Sequence, residues 1–238
     1  MNRDEFIKKI FSIVAPHIDF LSTFLSFGFD NYWRRKVISY INPGEDVLDV
    51  CTGTGRLALL ISKKLGRYGS VKGIDINDDM LQVAIQKIKN NPGNLSFLEA
   101  DSMDMPFQSQ SFDVVTVAFG IRNVSEPLRA LRECHRVLKN GGRLLCLDLM
   151  KPENRFFIPL WKFYVFKIIP LAGRLVVGDP VPYKYLPASI EGFYNKGQFL
   201  QLLKDNGFKV LEVRSLTCGT VNLFVAEKRK FYYSFSKK

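Results

Sequence analysis

The 238-residue sequence is poor in the residue types that bind metals or carry Cys/His catalysis. Its four cysteines, Cys51, Cys134, Cys146 and Cys218, form no C-x-x-C pair, and its only histidines are His17 and His135. A zinc site therefore lacks ligands at the usual spacing, and no metal centre is expected. Four cysteines are also too sparse for a disulfide framework, so buried free thiols in a reducing compartment are the expectation. No uncharged apolar run reaches the roughly 18 to 20 residues of a membrane span. Nor is a secretory signal expected: Asp4 and Glu5 interrupt the basic region, and Lys8 and Lys9 break the apolar run behind them. These absences point to a cytoplasmic protein, and peripheral attachment to the inner face of a membrane is compatible with them.

What is abundant points the other way, to a large core. Apolar residues make up 47% and charged residues 24%, which suits one domain of the larger kind and excludes a disordered chain. Aromatic content is high, with 20 Phe, as expected for a large core, an apolar ligand site, or both. The net charge of +11 is uneven. Residues 1–41 carry six basic and four acidic side chains, residues 42–150 thirteen of each, and residues 151–238 fifteen and six. An excess confined to the last third could attract an anionic membrane, a nucleic acid or an acidic substrate, or be an ordinary basic surface.

Hydrophobic periodicity divides the chain. Arg3–Val14 and Asn31–Tyr40 read as helices. Short β-prone runs at 47–51, 71–76, 95–99, 112–119 and 143–149 alternate with helical patterns at 56–65, 78–89 and 127–138, and Asn140-Gly141-Gly142 reads as a turn. Such alternation argues for a parallel sheet wound on both faces, with ligands beyond the carboxyl ends of the strands. The fold expected is α/β and Rossmann-like, seven-stranded and mostly parallel, with antiparallel pairing at its end. Within a single domain (residues 1–228) the parts are N-terminal helices (1–41), a cofactor-binding core (42–150), a helical cap rich in aromatics (151–195) and a closing helix and strands (196–228). A basic tail (229–238) follows.

The segment Asp49-Val50-Cys51-Thr52-Gly53-Thr54-Gly55 takes a strand into a glycine-rich turn and then a helix. Glycine lets a backbone approach a ligand closely and take torsions that a Cβ forbids. Asp75, at the end of the next strand, can accept two hydrogen bonds from a ribose diol. Gly53-Thr54-Gly55-Arg56-Leu57-Ala58 also fits the G-x-G-x-x-A form of a dinucleotide site. Asp49 argues against that reading, since a carboxylate there would repel a pyrophosphate but suit an ammonium and a sulfonium. S-adenosylmethionine is the better fit. Asp101-Ser102 reads either as an ordinary turn or as an acceptor for an adenine amino group.

The sequence resembles the ubiquinone/menaquinone biosynthesis C-methyltransferases from about Phe11 to Lys228. The narrowest signals are Ala118-Phe119-Gly120-Ile121-Arg122-Asn123-Val124 and Tyr183-Lys184-Tyr185-Leu186. The resemblance implies methylation of a polyprenylated quinol ring, with S-adenosylhomocysteine as the second product. The cofactor site expected comprises Asp49, Cys51, Gly53, Thr54, Gly55, Asp75, Ile76, Asp101, Ser102 and Ala118. Arg122 and Asn123 are expected to face the ring, with Asp19 as a candidate base. For Arg122 a plain ion pair at the strand edge is the rival reading, and for His135 a solvated helix face is expected. Ile18, where the family usually has Tyr, and Asp30, where a basic residue is common, depart in ways that bear on the substrate. A methyltransferase acting on another small aromatic or lipid-like molecule is therefore the alternative. A nucleic-acid partner is not expected, because Ala118–Ile121 stands where such enzymes carry Asn/Asp-Pro-Pro-aromatic. The partner expected is a small, lipid-tailed quinol; membrane contact through the cap and a homodimer are compatible with the sequence.

Overall fold

Buried apolar runs and amphipathic stretches alternate along the chain, and so do its strands and helices. The computed structural model describes residues 3–89, 93–178 and 181–229, so the basic tail lies outside the described residues apart from Arg229. Three helices come first: α1 (Arg3–Val14), α2 (Ile18–Leu25) and α3 (Phe29–Ile38). The central part follows as β1 (Asp46–Val50), α4 (Arg56–Leu65), β2 (Ser70–Asp75), α5 (Asp78–Ile88), β3 (Leu95–Glu99), β4 (Phe112–Ala118), α6 (Pro127–Val137) and β5 (Leu138–Leu149). A continuous helical segment then runs through α7 (Ile158–Phe163), a π-helical stretch (Tyr164–Ile168) and α8 (Ile169–Val177), followed by α9 (Val181–Glu191). Last come α10 (Lys196–Asp205), β6 (Phe208–Leu216) and β7 (Val221–Lys228).

The seven strands form one sheet in the order β3-β2-β1-β4-β5-β7-β6. β1 to β5 pair in parallel, and β7 runs antiparallel to both β5 and β6. The strand order reverses at β1, between β2 and β4, so a crevice opens beyond the carboxyl ends of these three strands.

Period-two alternation along the central strands feeds two cores. Val114, Leu145, Leu147 and Leu223 pack on one face with Leu57, Ile61 and Leu65 of α4. Val115, Val117, Cys146 and Phe224 pack on the other with Leu131 and Cys134 of α6 and Phe199 of α10. A third cluster lies off the sheet, where Val14, Leu21, Trp161, Val165, Ile169, Tyr183 and Ile190 join the N-terminal helices to the 158–191 helices.

The structure departs from the sequence reading in four places. α2 had no separate periodic signal, being eight residues long and set off only by Pro16 and His17. The expected turn at 140–142 is instead part of β5; Gly141 takes φ +76, and the register with β4 shifts between Phe112 and Val114. His135 is not on a solvated face: its ring meets Phe208 edge-on at 5.3 Å, and burial lowers its pKa. Gly207 makes the room, since a Cβ there would come within 2.8 Å of the His135 Nε2. Cys134 and Cys146 are buried thiols, but Cys218 is exposed in a left-handed turn at φ +55.

Phe199 and Phe224 are fully buried, with centroids 4.9 Å apart in a T-shaped pair. Phe224→Ala should cost about 3–5 kcal/mol of unfolding free energy, read from urea titrations of both proteins.

Candidate active site

The crevice at the carboxyl edge is a cavity of about 830 Å³. Its walls come from the loop after β1, the ends of β2 and β4, the N-terminal helices and the 158–191 helices. Asp19, Asp49, Cys51, Gly53, Thr54, Asp75, Ile76, Asp101, Ser102, Ala118, Arg122 and Asn123 all line it. Of the residues singled out from sequence, Gly55 stands just outside, at the start of α4.

The glycine loop is shaped by backbone torsion. Gly53 and Gly55 sit at φ +56 and +75, and a Cβ on Gly55 would lie 2.6 Å from the Phe97 ring. Two non-glycine residues on the same edge, Cys51 at φ +54 and Phe119 at φ +61, also take left-handed torsions, a form of strain concentrated at ligand sites. Asp75 closes the loop: its Oδ2 accepts from the Gly53 N–H at 2.8 Å and its Oδ1 from the Asn77 N–H at 3.0 Å. Asn77, not Asp75, caps α5, its side chain accepting from Met80 N–H. With about four lone-pair sites on a carboxylate, Asp75 retains acceptor capacity for a ribose hydroxyl beyond its backbone donors. Burial pushes the Asp75 carboxyl up, against these backbone donors. Asp101 Oδ1 accepts from Met103 N–H at 2.8 Å, closing a turn on the cavity wall next to the buried Ser102.

Asp49 is sealed beneath the loop. Thr116 and Thr52 donate their hydroxyls to its two oxygens at 2.5 and 2.7 Å. Asp19 reaches the loop from α2, taking the Thr54 hydroxyl at 2.5 Å and Lys87 Nζ at 2.5 Å. Arg122 is 7% exposed and Asn123 9%. Arg122 Nη1 donates to Asp148 Oδ1 at 2.6 Å and to the Phe119 carbonyl at 2.7 Å, and its Nε points at Ser189 Oγ, 3.4 Å away. The ion pair considered from sequence thus exists, and it coincides with a place on the cavity wall. Asn123 donates to the Phe119 carbonyl and accepts from the Tyr185 hydroxyl at 3.1 Å. Asp148, Ser189 and Tyr185 were not singled out as site residues. Asp148 gave no local signal, because a lone acid in an apolar strand shows its role only once β5 lies beside β4.

This donor set suits S-adenosylmethionine: an open glycine loop, a carboxylate with acceptor capacity to spare after β2, and the buried Asp49 carboxyl beneath the loop. Fold and site together define a class I S-adenosylmethionine-dependent methyltransferase. The chain belongs to the ubiE/COQ5 methyltransferase family, whose sequence profile it matches over residues 1–228. It is 38% identical to the ubiquinone/menaquinone biosynthesis C-methyltransferase UbiE of Geotalea daltonii over 95% of this chain and 97% of that one. It is 34% identical to a demethylmenaquinone methyltransferase of Staphylococcus haemolyticus, covering 96% of each. Among solved structures, a SAM-dependent methyltransferase from Aquifex aeolicus superposes with a TM-score of 0.62 at 25% identity, covering 82% of this chain and 89% of its own.

Burial pushes the Asp49 carboxyl up to about 6, opposed by Thr116, Thr52 and Arg34. A carboxyl whose folded pKa exceeds its ordinary value of 3.8 binds its proton more tightly in the native state. Its contribution to stability is full below about pH 4 and is lost as the pH rises through about 6. Roughly 2–3 kcal/mol should vanish across that window. Asp49→Asn should flatten the dependence, as measured by urea titration across about pH 4 to 7. Asp75→Ala should weaken S-adenosylhomocysteine binding by at least about tenfold in calorimetry, through loss of charge-assisted hydrogen bonds.

Proposed function

We propose that the protein methylates a ring carbon of a polyprenylated quinol, such as demethylmenaquinol or a ubiquinone precursor. The observation that carries this reading is the placement of Arg122 and Asn123. They stand on the same cavity as the glycine loop, where that cavity continues into an apolar volume walled by Trp161, Val165, Ile169 and Leu186. S-adenosylmethionine supplies an electrophilic methyl group on its sulfonium.

The protein's own part is to make the ring carbon nucleophilic and hold it in place. A quinol carbon gains electron density when a ring hydroxyl loses its proton. The Arg122 guanidinium, fixed by Asp148 and the Phe119 carbonyl, stabilises the phenolate as it forms. Asn123, steadied by Tyr185, holds the ring oxygen. Asp19 is engaged by Thr54 and Lys87, so we assign it to ordering the glycine loop, and proton acceptance falls to a water oriented at Arg122. Enclosure contributes positioning, an effect worth about 7–11 kcal/mol in well-oriented systems.

The tail and the surface fit a membrane. Phe27, Phe29 and Leu160 line the cavity and are also exposed. The same helices carry further exposed apolar side chains, Phe20 and Phe24 on α2 and Phe156, Phe163, Leu171 and Leu175 on the 156–175 stretch, interspersed in sequence with exposed Arg155, Lys162, Lys167 and Arg174. An apolar patch set with cations suits an anionic bilayer surface, and the residues it shares with the cavity give a prenyl tail a path from one to the other. No helix among the described residues is long and apolar enough to cross a membrane.

Methylation assays with demethylated quinols, using short phenols as controls, test the reading; turnover confined to the phenols would sink it. Arg122→Ala should lower kcat by about a hundredfold or more with S-adenosylhomocysteine affinity kept. Phe156→Asp with Leu175→Asp should abolish co-sedimentation with anionic vesicles while methylation of a soluble short-tailed quinol persists.

A further inference from the structure

Tyr183, on α9, lines the cavity and is 5% exposed. Its hydroxyl is buried and has no hydrogen-bond partner among the described residues. The other three hydroxyls of the helices at 158–191 are committed. Tyr164 donates to the Leu25 carbonyl at 2.6 Å, Tyr185 to Asn123 Oδ1 at 3.1 Å and Ser189 to the Leu186 carbonyl at 2.8 Å. The Tyr183 ring is tightly held: a Cβ on Gly173 of α8 would lie 2.0 Å from its Cγ, so α8 packs on the ring only because residue 173 is glycine. Its neighbours in the cluster, Leu21, Val165, Ile169 and Ile190, have no polar side-chain atoms. A partner for the hydroxyl therefore has to come from the cavity that the side chain lines. Until one arrives, the buried polar group costs free energy.

The same helix carries this side chain alongside the groups assigned to the ring. Tyr183, Leu186 and Ile190 line the cavity at positions i, i+3 and i+7, one face of α9. From α9, Tyr185 also meets Asn123, and Ser189 lies 3.4 Å from Arg122 Nε. Tyr183 stands six residues before Ser189, about 9 Å along the helix axis. A six-membered ring with an oxygen at either end, and a hydrogen bond beyond each oxygen, bridges a gap of that order. Burial pushes the Tyr183 hydroxyl up to about 12, so near neutral pH it keeps its proton and serves as a donor.

We infer that the Tyr183 hydroxyl donates a hydrogen bond to the second ring oxygen of the substrate, the one para to the oxygen held at Arg122 and Asn123, and so selects para-diols over monophenols. The inference rests on the quinol reading above and narrows its substrate class. Charge from a ring phenolate reaches the carbons ortho and para to it and not the second oxygen. Arg122 thus governs the oxygen that activates the reacting carbon, while Tyr183 fixes the ring's rotation about that oxygen. A ring held at one oxygen still pivots; held at two, it presents one carbon to the methyl donor. A site that hydrogen-bonds a substrate hydroxyl also discriminates against an analogue without it, because the analogue leaves the protein's own polar group unpaired.

Tyr183→Phe, which removes one oxygen and keeps the ring, tests this with two substrates held under reductant. One is a naphthalene diol with para hydroxyls, one prenyl group and a free carbon beside it. The other has hydrogen in place of the hydroxyl nearer the prenyl group. The variant should lose about tenfold in kcat/KM on the diol and stay within about twofold on the monophenol, as expected for one hydrogen bond. If the monophenol is not turned over, its inhibition constant against the diol supplies the same comparison. The urea midpoint of the ligand-free variant should equal or exceed that of the wild type, since the hydroxyl has no partner to lose. Equal losses on both compounds, an unchanged kcat/KM on the diol, or a lower urea midpoint overturn the inference. A wild-type protein that methylates neither compound, or only short phenols, refutes the quinol reading instead.

Discussion

Two cations of the cofactor-binding half, Arg56 and Lys87, hold the helix pair α2–α3 against the glycine loop, and the roof of the cavity rests on them. Arg56 follows Gly55 directly and spreads its guanidinium over the Asp19 carbonyl, the Ser22 and Thr23 hydroxyls, the Asn31 side chain and the Asp30 carboxylate. Lys87 reaches from α5 to Asp19 and to the Thr54 carbonyl. Asp19, expected from sequence as a candidate base, and Asp30, expected to bear on the substrate, are the points at which the N-terminal helices are tied to the glycine loop. Ion pairs exposed to water are individually weak. Here they converge on one short loop, and Arg34, Arg56 and Asp30 are largely withdrawn from solvent.

Beneath that roof the cavity sorts by polarity. At the sheet edge, buried acids are each held by dedicated donors: Asp49 by two threonines, Asp148 by Arg122 and backbone N–H groups, Asp75 by the backbone of Gly53 and Asn77. Away from it, the wall is the apolar face of helices that the sheet does not need for its own two cores. Under the proposed function, a charged, soluble cofactor and a ring bearing a long apolar tail make opposite demands on one cavity. The parallel sheet meets the first, because its strand ends converge at one edge. The helices at 3–38 and 158–191 meet the second, because they bury their apolar sides against each other and close over that edge.

The proposed mechanism draws on what is fixed and what is left available. The Asp148 pair takes Nη1 of Arg122 and the Ser189 hydroxyl faces its Nε, so the guanidinium is held in one orientation. Such preorganisation is what allows a charge to stabilise a developing oxyanion without reorganising first.

The alternation of strands and helices, the two glycines after β1 and the acid after β2 were legible because they are local. A buried strand must be apolar, a left-handed turn favours glycine, and a helix start needs a cap, and each demand leaves its mark within a few residues. The same holds for the Arg122-Asn123 dipeptide, carried by a narrow motif. The partners of these groups were not legible: Asp148 for Arg122, Tyr185 for Asn123, Arg56 for Asp30 and Gly207 for His135. Each pair is joined across the sequence by topology, and a single acid or tyrosine reads alike whether it meets water or a buried cation. The chain's order of residues by itself determined the kind of sheet and the glycine loop that opens onto the cavity. Only the tertiary structure decided which charges neutralise one another, because that depends on distances and burial created when distant segments close over the sheet edge.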